Sequence, residues 1–153
     1  MSKTDEKKQL FQAMRMLSTQ QIMLHQSVAD TLNLNITDYK CWDLIARLGS
    51  MTAGKLAEQT GLTTGAITGV IDRLEKAGYV KRTDNPNDRR SVIIELSRSQ
   101  EDIRRKVFLS LEQKIEKAAS SYTDEELSLF VEFIKKEVEI LHEETIRLRK
   151  ISR

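Results

Sequence analysis

A mainly α-helical fold carrying a helix-turn-helix and one small β-hairpin is what this sequence predicts, on three observations. Apolar residues recur at three- and four-residue spacing along most of the chain, the pattern of helices that bury one face. Two short helical stretches are joined by three residues that include Gly61, the spacing of a helix-turn-helix. After Gly78 the period changes from helical to extended, and two apolar runs flank a turn-rich loop centred on Pro86, which reads as a hairpin.

The elements follow in order. Leu10, Met14, Leu17, Leu24 and Val28 form a stripe over about Lys7 to Leu32, widened by Phe11, Ile22 and Met23, so the first helix is long. Thr37 is placed to cap a second, short helix that carries Trp42, Ile45 and Leu48 and stops at Gly49. Thr52 caps a third, roughly Ala53 to Gln59, with Leu56 and Ala57 pointing inward and Gly61 supplying the left-handed residue that ends it. Thr63 caps the fourth, about Thr64 to Ala77, which aligns Ile67, Val70, Ile71 and Leu74 and terminates at Gly78.

Tyr79 to Thr83 and Ser91 to Leu96 are the predicted strands. Ser97 with Gln100, and Thr123 with Glu126, have capping-box spacing and open two long helices. The first of these carries Ile103, Val107, Leu111, Ile115 and Ala118. The second carries Leu127, Phe130, Ile134, Val138, Leu141, Thr145 and Leu148, with Leu129, Phe133 and Ile140 outside the stripe. Apolar residues on a second face need a second partner; these helices could pack together into one thicker monomer core, but a second copy of the chain is the expected partner. The expected organisation is an N-terminal dimerisation helix over 1–35, a module of helix-turn-helix and hairpin over 36–97 and C-terminal dimerisation helices over 98–153, all in one intertwined domain.

Bulk properties exclude several classes. The 153 residues carry a formal charge of +2, so any nucleic-acid surface has to be local rather than global. Between Lys81 and Arg90 the bases Lys81, Arg82, Arg89 and Arg90 outnumber Asp84 and Asp88, whereas Asp124 to Glu144 is strongly acidic. The single cysteine, Cys41, rules out an intrachain disulfide and suits a reducing compartment. No apolar run approaches the ~18 residues of a membrane span, and Met1 to Leu10 is too polar for a signal peptide. A cytoplasmic protein with no membrane association is expected. Nothing supplies a nucleophile with a base and an orienting group, and there is no glycine-rich phosphate loop, so no catalytic residue and no cofactor is assigned.

The fourth helix presents Thr64, Gly65, Thr68, Gly69 and Asp72 away from its apolar face. Small and hydroxyl residues near a helix N-terminus fit closely against DNA, where N–H groups hold phosphate and threonine contacts base edges or a thymine methyl. An ordinary surface helix would look the same, and the hairpin tilts the balance. A loop bearing Arg89 and Arg90 next to a helix-turn-helix can reach the adjacent minor groove or backbone, and Asp88 can hold an arginine side chain in one direction.

GLTTGAITGVIDRLEKAGYVKR (Gly61 to Arg82) followed by DNPNDRRSVIIELS (Asp84 to Ser97) resembles the winged helix-turn-helix of the MarR family, the multiple antibiotic resistance regulators. The flanking order of one helix before and two long helices after agrees with that family. The resemblance implies a homodimer whose first and last two helices interlock and present two winged modules to a pseudo-palindromic operator. It implies that Thr63, Thr64, Gly65, Ala66, Thr68 and Gly69 lie in the leading part of the recognition helix. It makes Asp88 and Arg90 the wing pair beside Arg89, and Arg73 a brace between recognition helix and wing. Family members often place a basic residue near Gly69; none stands there in this chain, which leaves Arg90 an unusually large share of the DNA affinity.

Many members of the family bind small aromatic or anionic effectors between the arm helices and the DNA-binding module. Met14, Met16, Met23, Met51, Tyr39 and Trp42 are candidates to line such a pocket, of which Met14, Tyr39 and Trp42 are retained, although methionines and aromatics at helical spacing are more often core. His25 and His142 lack metal-ligand spacing and are read as solvated helix positions. Cys41 is read as a packing residue. The leading expectation is a ligand-responsive dimeric repressor. The alternatives are a winged-helix protein-interaction module that recruits its partner through the acidic last helix, and a thiol-based redox sensor acting through Cys41.

Overall fold

The computed structural model of the chain describes residues 3–88 and 90–151, without the side chains of residues 98–101 and 104. Its elements are α1 (Lys3–Thr31), α2 (Ile36–Leu48), β1 (Met51–Thr52), α3 (Ala53–Thr60), α4 (Thr64–Lys76), β2 (Val80–Asp84), β3 (Val92–Leu96), α5 (Arg98–Ala119) and α6 (Asp124–Ile151). The chain is mainly helical with a small sheet, as its periodicity predicts. It divides into two compact units, Met1–Val107 and Phe108–Arg153.

Local chemistry sets most of the boundaries in the first unit. Thr52 and Thr63 cap α3 and α4, their hydroxyl oxygens accepting from the N–H of Lys55 and Ala66. Gly49 closes α2 at φ 87°, and Gly61 closes α3 in the left-handed region at φ 66° while its N–H donates to the Ala57 carbonyl. At the end of α4, Gly78 also has positive φ, and the Tyr79 N–H reaches back five residues to the Leu74 carbonyl, the paired-bond ending expected of a left-handed residue after a helix. Gly61→Ala is expected to cost about 1–2 kcal/mol, because a Cβ in that conformation meets the following carbonyl. A urea unfolding midpoint equal to wild type would contradict the assignment.

Besides shifts of a few residues at element ends, a cap and a strand differ from the sequence reading. The cap of α2 is Asn35, whose side-chain oxygen accepts from the Asp38 N–H, rather than Thr37. Asn35 and Asp38 have the spacing of an N-cap pair, and asparagine outranks threonine at a cap. The hairpin also gains a third strand: the order is β1-β3-β2, all antiparallel, with Met51 opposite Ile94 and Thr52 opposite Ile93. Two residues of β1 are too few to show a period-2 pattern, so only their pairing reveals them. The Ser97–Gln100 capping box depends on the Gln100 side chain, which is not among those described.

The core of this unit lies where α2, α3, α4 and the sheet meet. Trp42, Tyr39, Ile45, Leu56, Ile67, Ile71, Leu74 and Ile94 are fully buried. Trp42 stands between Tyr39 and Tyr79, with ring centroids at 6.2 and 6.0 Å, the second contact edge-on. The Tyr79 hydroxyl donates to the Leu32 carbonyl at 2.7 Å, tying the start of the wing to the end of α1. Along α1, Val28 and Ala29 are buried, whereas Leu10, Phe11, Leu17, Ile22 and Met23 are exposed in the single chain.

In the second unit, Thr123 and Glu126 bond reciprocally, each side chain accepting from the other's N–H, the capping box read from the sequence. The long helix that follows buries none of its residues in the single chain. Leu129, Phe130, Phe133, Ile134, Val138, Ile140 and Leu141 are all exposed. Among the described residues no helix is long and apolar enough to cross a membrane.

Candidate nucleic-acid interface

The polarity of α4 makes it the natural reading element. Its inner face, Ile67, Val70, Ile71 and Leu74, is buried, whereas Thr63, Thr64, Gly65, Ala66 and Thr68 are exposed and Gly69 is half-buried. A Cβ built on Gly65 would meet nothing within 4 Å, so this part of the surface is open to close approach. Of the N–H groups that a first helical turn leaves orphaned, that of Ala66 is satisfied by the Thr63 hydroxyl at 3.2 Å. The Thr68 hydroxyl donates back to the Thr64 carbonyl at 3.0 Å. Its proton is therefore engaged, and toward a base edge it offers lone pairs and a methyl group.

Among the described residues Arg73 pairs with α2 and not with the wing. Its Nε and Nη2 donate to the two carboxylate oxygens of Asp38 on α2, at 2.8 and 2.7 Å. Asp38 is almost fully buried and also accepts from the Asn35 side-chain amide at 2.7 Å. The pair thus fastens α4 to the start of α2 through a two-point contact.

The brace to the wing is Arg82 on β2, a residue the sequence reading missed. Its guanidinium donates to Glu75 and, at 2.5 Å, to Asp72, both on α4, and its backbone N–H donates to Glu75 at 3.0 Å. Asp72 and Glu75 stand three residues apart on one helix, an acidic face that calls for a cation. These two carboxylates hold the Arg82 pKa above its usual value, the hydrogen bond to Asp72 contributing most. Lys81 is likewise paired, with Glu95 across the sheet at 2.8 Å. Two of the four bases counted toward a basic loop are therefore locally neutralised.

The wing loop between β2 and β3 is organised through its main chain. The Asn85 side-chain oxygen accepts from the Asn87 N–H, and its amide donates to the Ser91 hydroxyl at 2.7 Å. Asp88 Oδ1 accepts from the backbone N–H of Arg90 at 2.9 Å, and the Asp88 carbonyl accepts from Ser91. Asp88 therefore shapes the turn instead of gripping the Arg90 guanidinium, because its short side chain is satisfied two residues on. Arg90 is exposed, and among the described residues its side chain forms no ion pair. Arg89 lies outside the described residues.

The remaining candidates divide between core and surface. Cys41 is buried, and burial pushes its thiol up to about 11, so almost none is thiolate near neutrality. Tyr39 and Trp42 are core residues; burial pushes the Tyr39 phenol up to about 12. Met14 is half-buried on α1, whereas Met16 and Met23 are exposed and Met51 is buried in β1. His25 is not a solvated position: it is half-buried, and its Nδ1 lies 2.8 Å from the Tyr39 hydroxyl. His142 is exposed. A cavity of about 290 Å³ is lined by Ile36, Thr37, Lys40, Cys41, Leu44, Thr60 and Leu62, apolar but for two threonines and one lysine.

Comparison with known proteins agrees with this arrangement. A model of the MarR family matches residues 34–92, the span from just before α2 to the start of β3. The chain is 41% identical over 150 residues to the uncharacterized HTH-type transcriptional regulator YcgE of Bacillus subtilis (strain 168), covering 97% of each chain. Among solved structures it is similar to Streptococcus pneumoniae FabT in complex with DNA, with a TM-score of 0.69 and 17% identity over 90% of this chain and 98% of FabT. It is also similar to NadR in complex with 4-hydroxyphenylacetate, with a TM-score of 0.62 and 24% identity over 86% of this chain and 90% of NadR. At such identities the two structures establish the fold.

Proposed function

Since this chain belongs to the MarR family of DNA-binding transcriptional regulators, we propose that it acts as a homodimeric repressor that binds a pseudo-palindromic operator and releases it when a small effector binds. The observation that carries this reading is the two-sided character of α4. Its apolar face is locked into the core while Thr63, Thr64, Gly65, Ala66 and Thr68 form an exposed face of small and hydroxyl residues. Gly69, Arg73, Asp88, Arg89 and Arg90 complete the proposed DNA surface. α4 enters the major groove, and the wing reaches the adjacent minor groove or backbone.

Dimerisation is supported by the apolar side chains that α1 and α6 leave exposed in the single chain, more than an isolated soluble protomer ordinarily shows. Two-fold symmetry would set the spacing of half-sites at about one helical turn or a multiple of it. Effector response is supported by the likeness to NadR, solved with 4-hydroxyphenylacetate. A small aromatic or anionic molecule that favours a dimer with the wrong spacing between recognition helices weakens operator binding by its difference in affinity for the two states. Burial of the Cys41 thiol argues against the redox-sensing alternative.

The test is competition. Fluorescence anisotropy with duplexes from the region upstream of the gene is expected to show one palindromic fragment outcompeting random duplex by about 10³-fold or more. A chain that binds all duplexes alike would refute the sequence-specific reading.

A further inference from the structure

We propose that Arg73 is a base-reading residue of α4, that Asp38 holds it in reading position, and that Gly69 gives its side chain the room to lie there. This rests on the DNA-binding reading above and adds to it the residue, the orienting contact and the base.

A guanidinium has five N–H donors in a fixed planar fork. Asp38 takes one from Nε and one from Nη2, which is the side edge of the fork. Both donors of Nη1 and the second of Nη2 remain, and one from each of these nitrogens makes up the end edge. That edge matches the O6 and N7 acceptors of guanine in the major groove. The Arg73 side chain makes no other hydrogen bond among the described residues and is 55% exposed, which leaves the end edge unpaired.

Gly69 explains how the side chain gets there. Helical side chains lean toward the N-terminus over the preceding turn, and for residue 73 that places the guanidinium over residue 69. A Cβ built on Gly69 would lie 3.4 Å from Arg73 Nη1, in contact with the atom that carries the free donors. The basic residue that is missing near Gly69 is thereby replaced from one turn further along the helix. A bare glycine lies under a guanidinium whose direction is fixed by a buried carboxylate. Arginine ordinarily loses much rotamer freedom on binding, and a two-point clamp removes that cost in advance.

The experiment is selection of duplexes from a random-sequence pool by the purified full-length chain, read by sequencing. It is repeated with Arg73→Lys, which keeps the charge and loses the fork, with Asp38→Asn and with Gly69→Ala. The wild type is expected to prefer guanine at one position of each half-site by about ten-fold or more. Arg73→Lys is expected to bring that position close to parity while leaving the others in place, and Asp38→Asn and Gly69→Ala to fall between. A partly unfolded variant binds every duplex less and leaves base preferences unchanged, so the readout is separate from stability. An unchanged guanine preference in Arg73→Lys, at whatever overall affinity, would overturn the base-reading role. Loss in Arg73→Lys with full retention in both other variants would overturn the roles given to Asp38 and Gly69. A wild-type chain that enriches no consensus would overturn the sequence-specific reading itself, and this inference with it.

Discussion

Arg90→Ala is expected to weaken operator binding by about 1–2 kcal/mol per protomer, roughly doubled in the proposed two-fold complex. The reason is electrostatic. Lys81 and Arg82 are already paired with Glu95 and with Asp72 and Glu75, whereas Arg90 is exposed and without an ion pair among the described residues. Its positive charge is therefore available to DNA at no loss of an existing contact. Each phosphate contact removed makes the slope of log K against log salt less negative by about 0.9, so two copies flatten it by about two. Anisotropy titrations over a series of salt concentrations measure both quantities. Asp88→Ala serves as the contrast: Asp88 bonds the Arg90 main chain, so its loss is expected to weaken binding by loosening the turn without changing the slope. A slope unaltered by Arg90→Ala would remove the wing from the phosphate-contacting surface.

Trp42→Ala is expected to lower stability by about 3–5 kcal/mol, the usual range for emptying the site of a large buried aromatic. Trp42 is fully buried and packs on both Tyr39 and Tyr79. It thereby joins α2 to the residue that opens the wing and, through the Tyr79 hydroxyl, to the end of α1. A domain has about 5–15 kcal/mol in total, so this one change removes a large part of it. Far-UV circular dichroism in urea is the suitable probe, since Trp42 is the chain's only tryptophan and fluorescence would vanish with it. A loss below about 1 kcal/mol would mean that the aromatic chain is not the centre of the core.

Much of this fold was legible in the sequence because its signals are local. The caps at Thr52, Thr63 and Thr123, the stop at Gly49, the left-handed end at Gly61, and the inward face of α4 each depend on residues within about four positions of one another. The same locality explains the errors. Asn35 and Thr37 are both capping residues ahead of the same helix, and only the bond from the Asp38 N–H separates them. β1 is two residues long and has no period to detect.

By itself the sequence determined the order of the helices and the hairpin, the helix-turn-helix, the position of the wing and the outward face of α4. Only the tertiary structure decided which charges are free. Arg73 finds Asp38 across 35 positions of sequence, and Arg82 finds Asp72 and Glu75 from the neighbouring strand. Helical period and capping act along the chain, whereas an ion pair forms wherever packing brings two distant elements within about 4 Å. For that reason a count of bases in the loop could not tell the paired Lys81 and Arg82 from the exposed Arg90.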